Sequence, residues 1–338
     1  MISPLRYTWF KPVAAIAILM LSFFAGFGLR PILAPEDPHA QLRQSGYRFV
    51  SPLLDCSVNH QSAFFAHPTV ELFKDIVQRV VNEHLADGSA QAISVYFRDL
   101  KSGYWFGTGE SERFSPASLM KVPLMMAILK RAEDDPLLLK KKLMHERGGD
   151  GSQQQYFKPS ETLREGSMYT VDDLLYRMVA YSDNDASLML ADHFGMSIVD
   201  EALAQLEISV DTSSQKNDIS LRDYSAFFRI LFNASYLNND MSEKALAYLA
   251  RSTFENGIRA GLPRGIFVAS KFGEYSWNPY HLHEVGIVYY PEHPYLLGIA
   301  TTGGAPESLS HVIEEISKAV FRELDRQHQM AYSTKGRG

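Results

Sequence analysis

The chain has 338 residues, of which 46% are hydrophobic and 21% are charged. This composition supports one large core or two moderate ones and excludes a disordered or fibrous protein. The formal net charge of -6, with no basic run interleaved with aromatic residues, excludes a nucleic-acid-binding surface.

The first predicted element is a single transmembrane helix. Residues 12–29 carry no charge and are flanked by Arg6, Lys11 and Arg30. Their length just spans the hydrocarbon core of a bilayer, and the preceding basic residues favour a cytoplasmic N-terminus over residues 1–11. The alternative is a cleaved signal peptide, which would make the protein secreted. Either way, the remaining chain is predicted to lie outside the cytoplasm.

Residues 30–66 are predicted to form a linker that ends in a short docking segment, because prolines and polar residues interrupt any periodic pattern. Cys56 is the only cysteine of the chain, so no intramolecular disulfide can form. The fold is therefore expected to depend on packing alone.

A catalytic domain is predicted over residues 67–326, followed by a tail over 327–338. Helical periodicity covers 68–85, 118–132 and 308–324, and alternating apolar residues predict strands over 92–97, 104–107, 265–275, 284–290 and 295–301. The region 133–254 is predicted to be a helical subdomain, with helices over 170–180 and 221–232. These elements predict an α+β fold in which terminal helices flank a five-stranded antiparallel sheet split by the helical insertion.

Ser118 and Lys121 are the first residues with predicted chemistry, because a Ser-x-x-Lys spacing places both on one side of a helical turn. The spacing alone is common, with roughly one copy expected by chance in such a chain, and a second copy occurs at Ser213 and Lys216. Only the first copy opens an apolar helix. A lysine buried there loses solvation, which lowers its pKa and lets it accept the serine proton.

Two further motifs follow in the chain. Ser182, Asp183 and Asn184 come directly after a predicted helix, where capping of a helix end is the simpler interpretation. Lys271 and Gly273 form a Lys-x-Gly motif on a predicted strand, where a solvent-facing lysine is the simpler interpretation.

In this order, the three motifs resemble the signature set of the class A β-lactamases and penicillin-binding proteins. The resemblance extends over about residues 68–324, and the flanking residues are also similar in the segments 113–121, 169–174, 258–263 and 284–289. It implies the β-lactamase/transpeptidase-like fold and a serine hydrolase that needs no cofactor. The implied substrate is a β-lactam or a peptide similar to a peptidoglycan stem peptide.

The resemblance also implies catalytic roles. Ser118 would attack the substrate carbonyl, and Lys121 would accept its proton. Ser182 would pass a proton to the leaving nitrogen, helped by Lys271.

Substrate-binding roles are implied in the same way. Asn184 would bind the side-chain amide of the substrate. The backbone N–H groups of Ser118 and of Glu274, which follows Gly273 on the strand, would stabilise the oxyanion.

Two features depart from the family pattern. The family's Glu-x-x-Leu-Asn, whose glutamate activates the water that releases the acyl group, is absent, and the short interval after Ser182 indicates that its loop is deleted. Phe272 replaces a Thr or Ser whose hydroxyl binds the β-lactam carboxylate. This loss costs roughly 1.5–3 kcal/mol, unless the hydroxyl of Ser270, Tyr275 or Ser276 substitutes for it.

Three functions therefore stay open. The first is a β-lactamase-like hydrolase that is acylated at Ser118 and deacylates slowly. The second is a cell-wall D,D-peptidase or penicillin-binding acyl transferase, which the anchor and the two departures favour. The third is a non-catalytic wall-binding protein on the same fold.

No metal site is predicted. His281 and His283 lack the further ligands of a metallo-hydrolase, and no His-Glu-x-x-His motif occurs. Both histidines are expected in a loop.

Overall fold

The computed structural model describes residues 47–50, 67–146, 151, 153, 155–210, 218–275 and 278–335. The predicted anchor over 12–29 and most of the linker over 30–66 lie outside this part of the chain. Among the described residues, no helix combines the length and the apolar character that crossing a bilayer requires.

The strands are β1 (Ala92–Asp99), β2 (Trp105–Thr108), β3 (Arg113–Phe114), β4 (Lys142–Met144), β5 (Met168–Thr170), β6 (Ile219–Ser220), β7 (Val268–Tyr275), β8 (Tyr280–Val288) and β9 (Tyr295–Gly303). Five of them form one antiparallel sheet in the order β2-β1-β9-β8-β7. This confirms the predicted sheet of two early and three late strands. Strand β7 lies at one edge, so one side of its backbone faces away from the sheet.

The helices are α1 (His67–Ala86), α2 (Lys121–Asp134), α3 (Val171–Ala180), α4 (Asn184–Phe194), α5 (Ser197–Gln205), α6 (Leu221–Phe232), α7 (Asn239–Leu249) and α8 (Pro306–Lys335). Side chains alternate between the two faces of a strand. Phe97 therefore packs with α1 and α8 in one core, and Tyr96 packs with the helical subdomain in a second core. The last helix extends beyond the predicted residue 324.

The prediction that His281 and His283 lie in a loop was wrong, since both belong to strand β8. His283 is fully buried against the ring of Phe114, with 4.5 Å between ring centroids, and its Nδ1 accepts a hydrogen bond from the N–H of Thr301 at 3.2 Å. Burial, together with the neighbouring His281, lowers the pKa of His283 to about 3. The ring is thus neutral and tolerates a buried strand position.

Residues 47–50 lie against helix α7. The backbone N–H groups of Arg48, Phe49 and Val50 donate to the carboxylate of Glu243 at 2.6, 2.6 and 2.9 Å. The ring of Phe49 packs edge-on against Tyr289. This stretch, which lies within the predicted linker, is therefore fixed to the domain by charge-assisted hydrogen bonds.

Candidate active site

Ser118 lies half-buried in a 3-10 turn, Ala117–Met120, that precedes α2. Ala117 has a φ of +49°, in the left-handed region that L-residues rarely adopt. The hydroxyl of Tyr224 on α6 donates to the carbonyl of Leu119 at 2.8 Å. The backbone of this turn is thus held in an unusual conformation by a buried contact.

Gly273 on the edge strand β7 lies against the same turn. A Cβ at this position would be 2.7 Å from the carbonyl oxygen of Pro116 and 3.0 Å from the backbone nitrogen of Leu119. Any side chain would push the strand away from the turn. The glycine of the Lys-x-Gly motif therefore allows β7 to approach the turn that carries Ser118.

Lys121 is the first residue of α2, and its side chain is buried. Its Nζ donates to the carbonyl of Ser182 at 2.8 Å and to Oδ1 of Asn184 at 2.7 Å, with the hydroxyl of Ser182 at 3.4 Å. Burial lowers the pKa of Lys121 to about 7, while the charges of Asp183 and Glu274 act in the opposite direction. Near pH 7 about half of the amines are then neutral and able to accept a proton.

Lys271 points into the same network from β7 and is fully buried, which excludes a solvent-facing lysine. Its Nζ donates to the hydroxyl of Ser182 at 2.9 Å and to the carbonyl of Phe272 at 2.7 Å. Burial lowers the pKa of Lys271 well below its ordinary value, and the positive charge of Lys121 lowers it further. The hydroxyl of Ser182 thus lies between two amines.

The turn between α3 and α4 carries the Ser-Asp-Asn motif, whose residues divide between capping of α4 and contacts with Lys121. Asp183 caps α4, since its carboxylate accepts from the backbone N–H of Ala186 at 3.0 Å. Ser182, with a φ of +56°, and Asn184 instead contact Lys121. The side chain of Asn184 also donates to the carbonyl of Gly151 at 3.0 Å.

Comparison with known proteins decides the family. A family model described as "Beta-lactamase enzyme family" matches residues 73–324. The chain belongs to this family. A search of curated proteins gave no match.

Solved structures of similar fold include a β-lactamase from Sphaerobacter thermophilus, with 21% identity and a TM-score of 0.65 over 74% of this chain and 97% of the other. A class A β-lactamase from Mycobacterium abscessus has 22% identity and a TM-score of 0.63 over 73% of this chain and 98% of the other. A mutant of PBP-A in an acyl-enzyme complex with penicillin G has 19% identity and a TM-score of 0.63 over 75% and 97%. At these identities the likeness shows the fold.

Phe272, the residue that departs from the family motif, is part of the hydrophobic core. Its ring stacks on Phe254, with centroids 4.4 Å apart, and the amine of Lys271 lies 4.3 Å from the ring centroid. The hydroxyl of Ser270 does not replace the missing one, because it is buried and donates to Glu284 at 2.7 Å. Ser276, another candidate for that role, lies outside the described residues.

The side chain of Glu274 belongs to the site, although the sequence predicted a role only for the backbone N–H of this residue. Glu274 is 8% exposed, and its carboxylate accepts hydrogen bonds from the hydroxyl of Tyr280 and the N–H of Phe157. Its negative charge raises the pKa of both Lys121 and Lys271. An acidic residue directly after Lys-x-Gly is the signal that could have indicated this role.

Residues 155–157 also border the site and were missed, because no motif marks them. The side chain of Gln155 donates to the carbonyl of Ser182 at 3.3 Å. The ring of Phe157 packs edge-on against Phe254, with centroids 4.9 Å apart. This segment thus connects the Ser-Asp-Asn turn with the aromatic residues behind β7.

The described glutamates between Ser182 and Lys271 lie elsewhere. Glu201 forms an ion pair with Arg131 at 3.4 Å, and Glu255 forms one with Arg259 at 3.3 Å. Glu243 accepts the hydrogen bonds of residues 48–50, and Glu207 lines a cavity next to the sheet. Within the described residues, none contacts Lys121, Ser182 or Lys271. Helix α5 ends at Gln205 and β6 begins at Ile219, and residues 211–217 between them lie outside the described part.

A group of side chains with metal-ligating atoms within 4.8 Å of one another occurs on α8: His311, Glu314 and Glu315. Glu315 already pairs with Lys318 at 2.8 Å, and the group lies at the helix surface. It therefore gives no support for a metal at the site.

Proposed function

We propose that the protein is a serine hydrolase that is acylated at Ser118 by β-lactams or related amides and releases the acyl group slowly. The observation that carries this proposal is the buried hydrogen-bonded set Lys121–Ser182–Lys271 beside the Ser118 turn. Two buried lysines with lowered pKa values, joined through one hydroxyl, form a path for protons and have no evident structural use.

Acylation begins when the neutral amine of Lys121 takes the hydroxyl proton of Ser118, whose oxygen bonds to the carbonyl carbon. Lys121 then returns a proton to the hydroxyl of Ser182, which gives its own proton to the leaving nitrogen. The C–N bond breaks, an ester to Ser118 remains, and Lys121 is neutral again. The second amine, on Lys271, holds the hydroxyl of Ser182 in place at 2.9 Å.

The developing oxyanion is assigned to the backbone N–H groups of Ser118 and Glu274. Support comes from the contact at Gly273, which brings the outer edge of β7, the last strand of the sheet, against the turn. Asn184 is assigned to the substrate's amide side chain, because it lies beside Lys121 at the start of α4.

Deacylation requires a base that activates water. The described glutamates between Ser182 and Lys271 contact neither amine, which supports a long-lived acyl-enzyme. The acyl-enzyme structure of the PBP-A mutant with penicillin G provides a precedent within this fold.

A cell-wall D,D-peptidase or acyl transferase is the second candidate, and the strand side of the site favours it. Phe272 offers no hydroxyl, and Glu274 adds a buried negative charge next to the two lysines. Both features disfavour a carboxylate next to the scissile amide, which a β-lactam and a D-alanyl-D-alanine peptide both carry, so within this candidate they favour acyl transfer from an amide that lacks one.

The experiment that tests this proposal is labelling of the purified chain with a fluorescent penicillin. We expect a covalent label that Ser118→Ala abolishes and that Ser213→Ala, in the second Ser-x-x-Lys, leaves unchanged. A stable label with activity on a D-alanyl-D-alanine peptide would favour the second candidate. Absence of both label and peptidase activity would refute both and leave the non-catalytic wall-binding protein.

The proposed location is a single-pass membrane protein with the catalytic domain outside the cytoplasm, anchored by residues 12–29. The uncharged segment with basic residues before it supports this proposal. The mass of the protein extracted from membranes decides between anchor and signal peptide. A mass that includes residues 12–29 supports the anchor, and a mature form that begins after residue 29 shows cleavage and secretion.

A further inference from the structure

A cavity of about 330 Å³ lies between helix α6 and the sheet, on the same face of the sheet as the proposed active site. It is formed by helix α6, by residues 206–208 and by β1, β2 and β9, whereas the site is built against β7, at the opposite edge of the sheet. Three arginines are among its lining residues: Arg98, Arg222 and Arg229. We refer to it as the arginine cavity.

The fold brings these arginines together through two periodicities. Arg222, Ser225 and Arg229 are three and four positions apart on α6, so they share one helix face. Arg98 lies on β1 directly opposite Trp105 of β2. The opposite face of α6 is apolar and packs into the core, which fixes the arginine face toward the sheet.

The charges in the cavity are unbalanced. The two acidic residues in its wall are Glu207 and Asp223, and Asp223 already accepts a hydrogen bond from the hydroxyl of Ser220 at 2.7 Å. Three guanidinium groups thus meet two carboxylates, although the whole chain carries a formal charge of -6. A local positive excess in an acidic protein is a feature of anion sites.

The guanidinium groups of the arginines also have N–H donors available for a ligand. Arg222 lies over the ring of Trp105, 4.6 Å from its centroid, which orients the guanidinium without using its N–H groups. Over the described ranges, the guanidinium groups of Arg98 and Arg229 make no hydrogen bond or ion pair. Ser225 is 1% exposed, and its hydroxyl has no hydrogen-bond partner there either.

We infer that the arginine cavity binds a small polyanion that carries two or more phosphate or carboxylate groups. The planar fork of a guanidinium matches both groups through paired hydrogen bonds. The volume lies at the lower end of the range for small-molecule sites, roughly 300–1,000 Å³, so the ligand is about the size of pyrophosphate or citrate. This site is separate from the acylation chemistry, and its test does not depend on that chemistry.

The test is calorimetric titration of the full-length chain in detergent with pyrophosphate and, separately, with citrate, at an ionic strength held constant with sodium chloride. We expect one site with a dissociation constant below 1 mM for at least one of the two. Preference for pyrophosphate identifies a phosphate ligand, and preference for citrate identifies a carboxylate ligand.

Three variants that each remove one positive charge provide the control. Arg98→Gln and Arg229→Gln should weaken binding at least tenfold, whereas Arg264→Gln, at an exposed position outside the cavity, should leave it unchanged. Equal weakening by all three would show a non-specific charge effect and overturn the inference, as would absence of binding to the wild-type chain.

Unfolding midpoints without ligand check that each variant folds. If Arg229→Gln does not fold, Arg229→Lys replaces it, because the lysine keeps the charge and loses the planar fork. Weaker binding by Arg229→Lys supports paired hydrogen bonds to the anion, and unchanged binding contradicts them.

Discussion

The serine side and the strand side of the site are stabilised in different ways. On the serine side, the hydroxyl of Ser182 accepts hydrogen bonds from the amines of Lys121 and Lys271. On the strand side, Phe272 stacks in an aromatic cluster and Glu274 places a carboxylate next to the amines. The two lysines and the serine thus keep the resemblance to the family motifs, whereas Phe272 departs from it. The proposed function therefore predicts that acylation and substrate recognition can vary separately.

Loss of the base should have the largest effect. Lys121→Met removes the amine that accepts the proton of Ser118, so acylation by a fluorescent penicillin should slow by about 10²- to 10⁴-fold. The matched control is Lys216→Met in the second Ser-x-x-Lys, which should acylate at the wild-type rate. Equal acylation rates for both variants would show that Lys121 is not the base that accepts the proton of Ser118.

The aromatic cluster should contribute mainly to stability. Phe272→Ala leaves a cavity next to Phe254, so the free energy of unfolding should fall by about 3 kcal/mol or more. Phe267→Ala, at a ring that is 37% exposed, should cost less. Denaturant titration measures both, and a cost for Phe272→Ala below that of Phe267→Ala would contradict the assigned packing.

The rate of acylation should rise with pH. Because the pKa of Lys121 is lowered to about 7 and only the neutral amine accepts a proton, the rate should increase about tenfold per pH unit below 7 and level off above it. The free energy of unfolding should also rise with pH between about 7 and 10.5, because over this range the unfolded chain binds the lysine proton and the folded chain does not.

Stopped-flow labelling between pH 5 and 9 measures the rate, and circular dichroism at each pH checks the fold. A rate that is flat or falls with pH would show that Lys121 does not act as the base in its neutral form.

The smallest effect is expected at Glu274. Glu274→Gln keeps the shape of the side chain and removes its charge, so the midpoint of the pH profile should move to lower pH. Affinity for a penicillin should increase by up to about tenfold, because one negative charge next to the substrate carboxylate is lost. Glu255→Gln, in an exposed ion pair, should change neither quantity. An unchanged pH profile in Glu274→Gln would show that this carboxylate does not affect the pKa of Lys121.

Much of the fold was predictable because its elements are long and periodic. Helix α6 has the predicted bounds, 221–232, and the five-stranded sheet follows from alternating apolar residues. The ribbons β3–β6 and β4–β5 were not predicted, since two or three residues are too few to show alternation. Strand β8 begins before the predicted residue 284, because His281 and His283 look polar in sequence although His283 is buried.

In the site, the motifs identified the residues that carry the amines and hydroxyls. They could not indicate which groups surround them. The contact of Phe157 with Glu274 joins residues 117 positions apart, and that of Gln155 with Ser182 depends on how the 155–157 segment packs. Such contacts depend on tertiary packing, for which a single sequence contains no local signal.

Time-resolved intact mass spectrometry of the purified chain with penicillin G tests the central claim most directly. We predict that one penicillin adds per chain, that the adduct maps to Ser118, and that it persists long after free penicillin is removed. Absence of an adduct, or attachment at another residue, would contradict acylation at Ser118. Rapid return to the unmodified mass with hydrolysed penicillin in solution would contradict slow release.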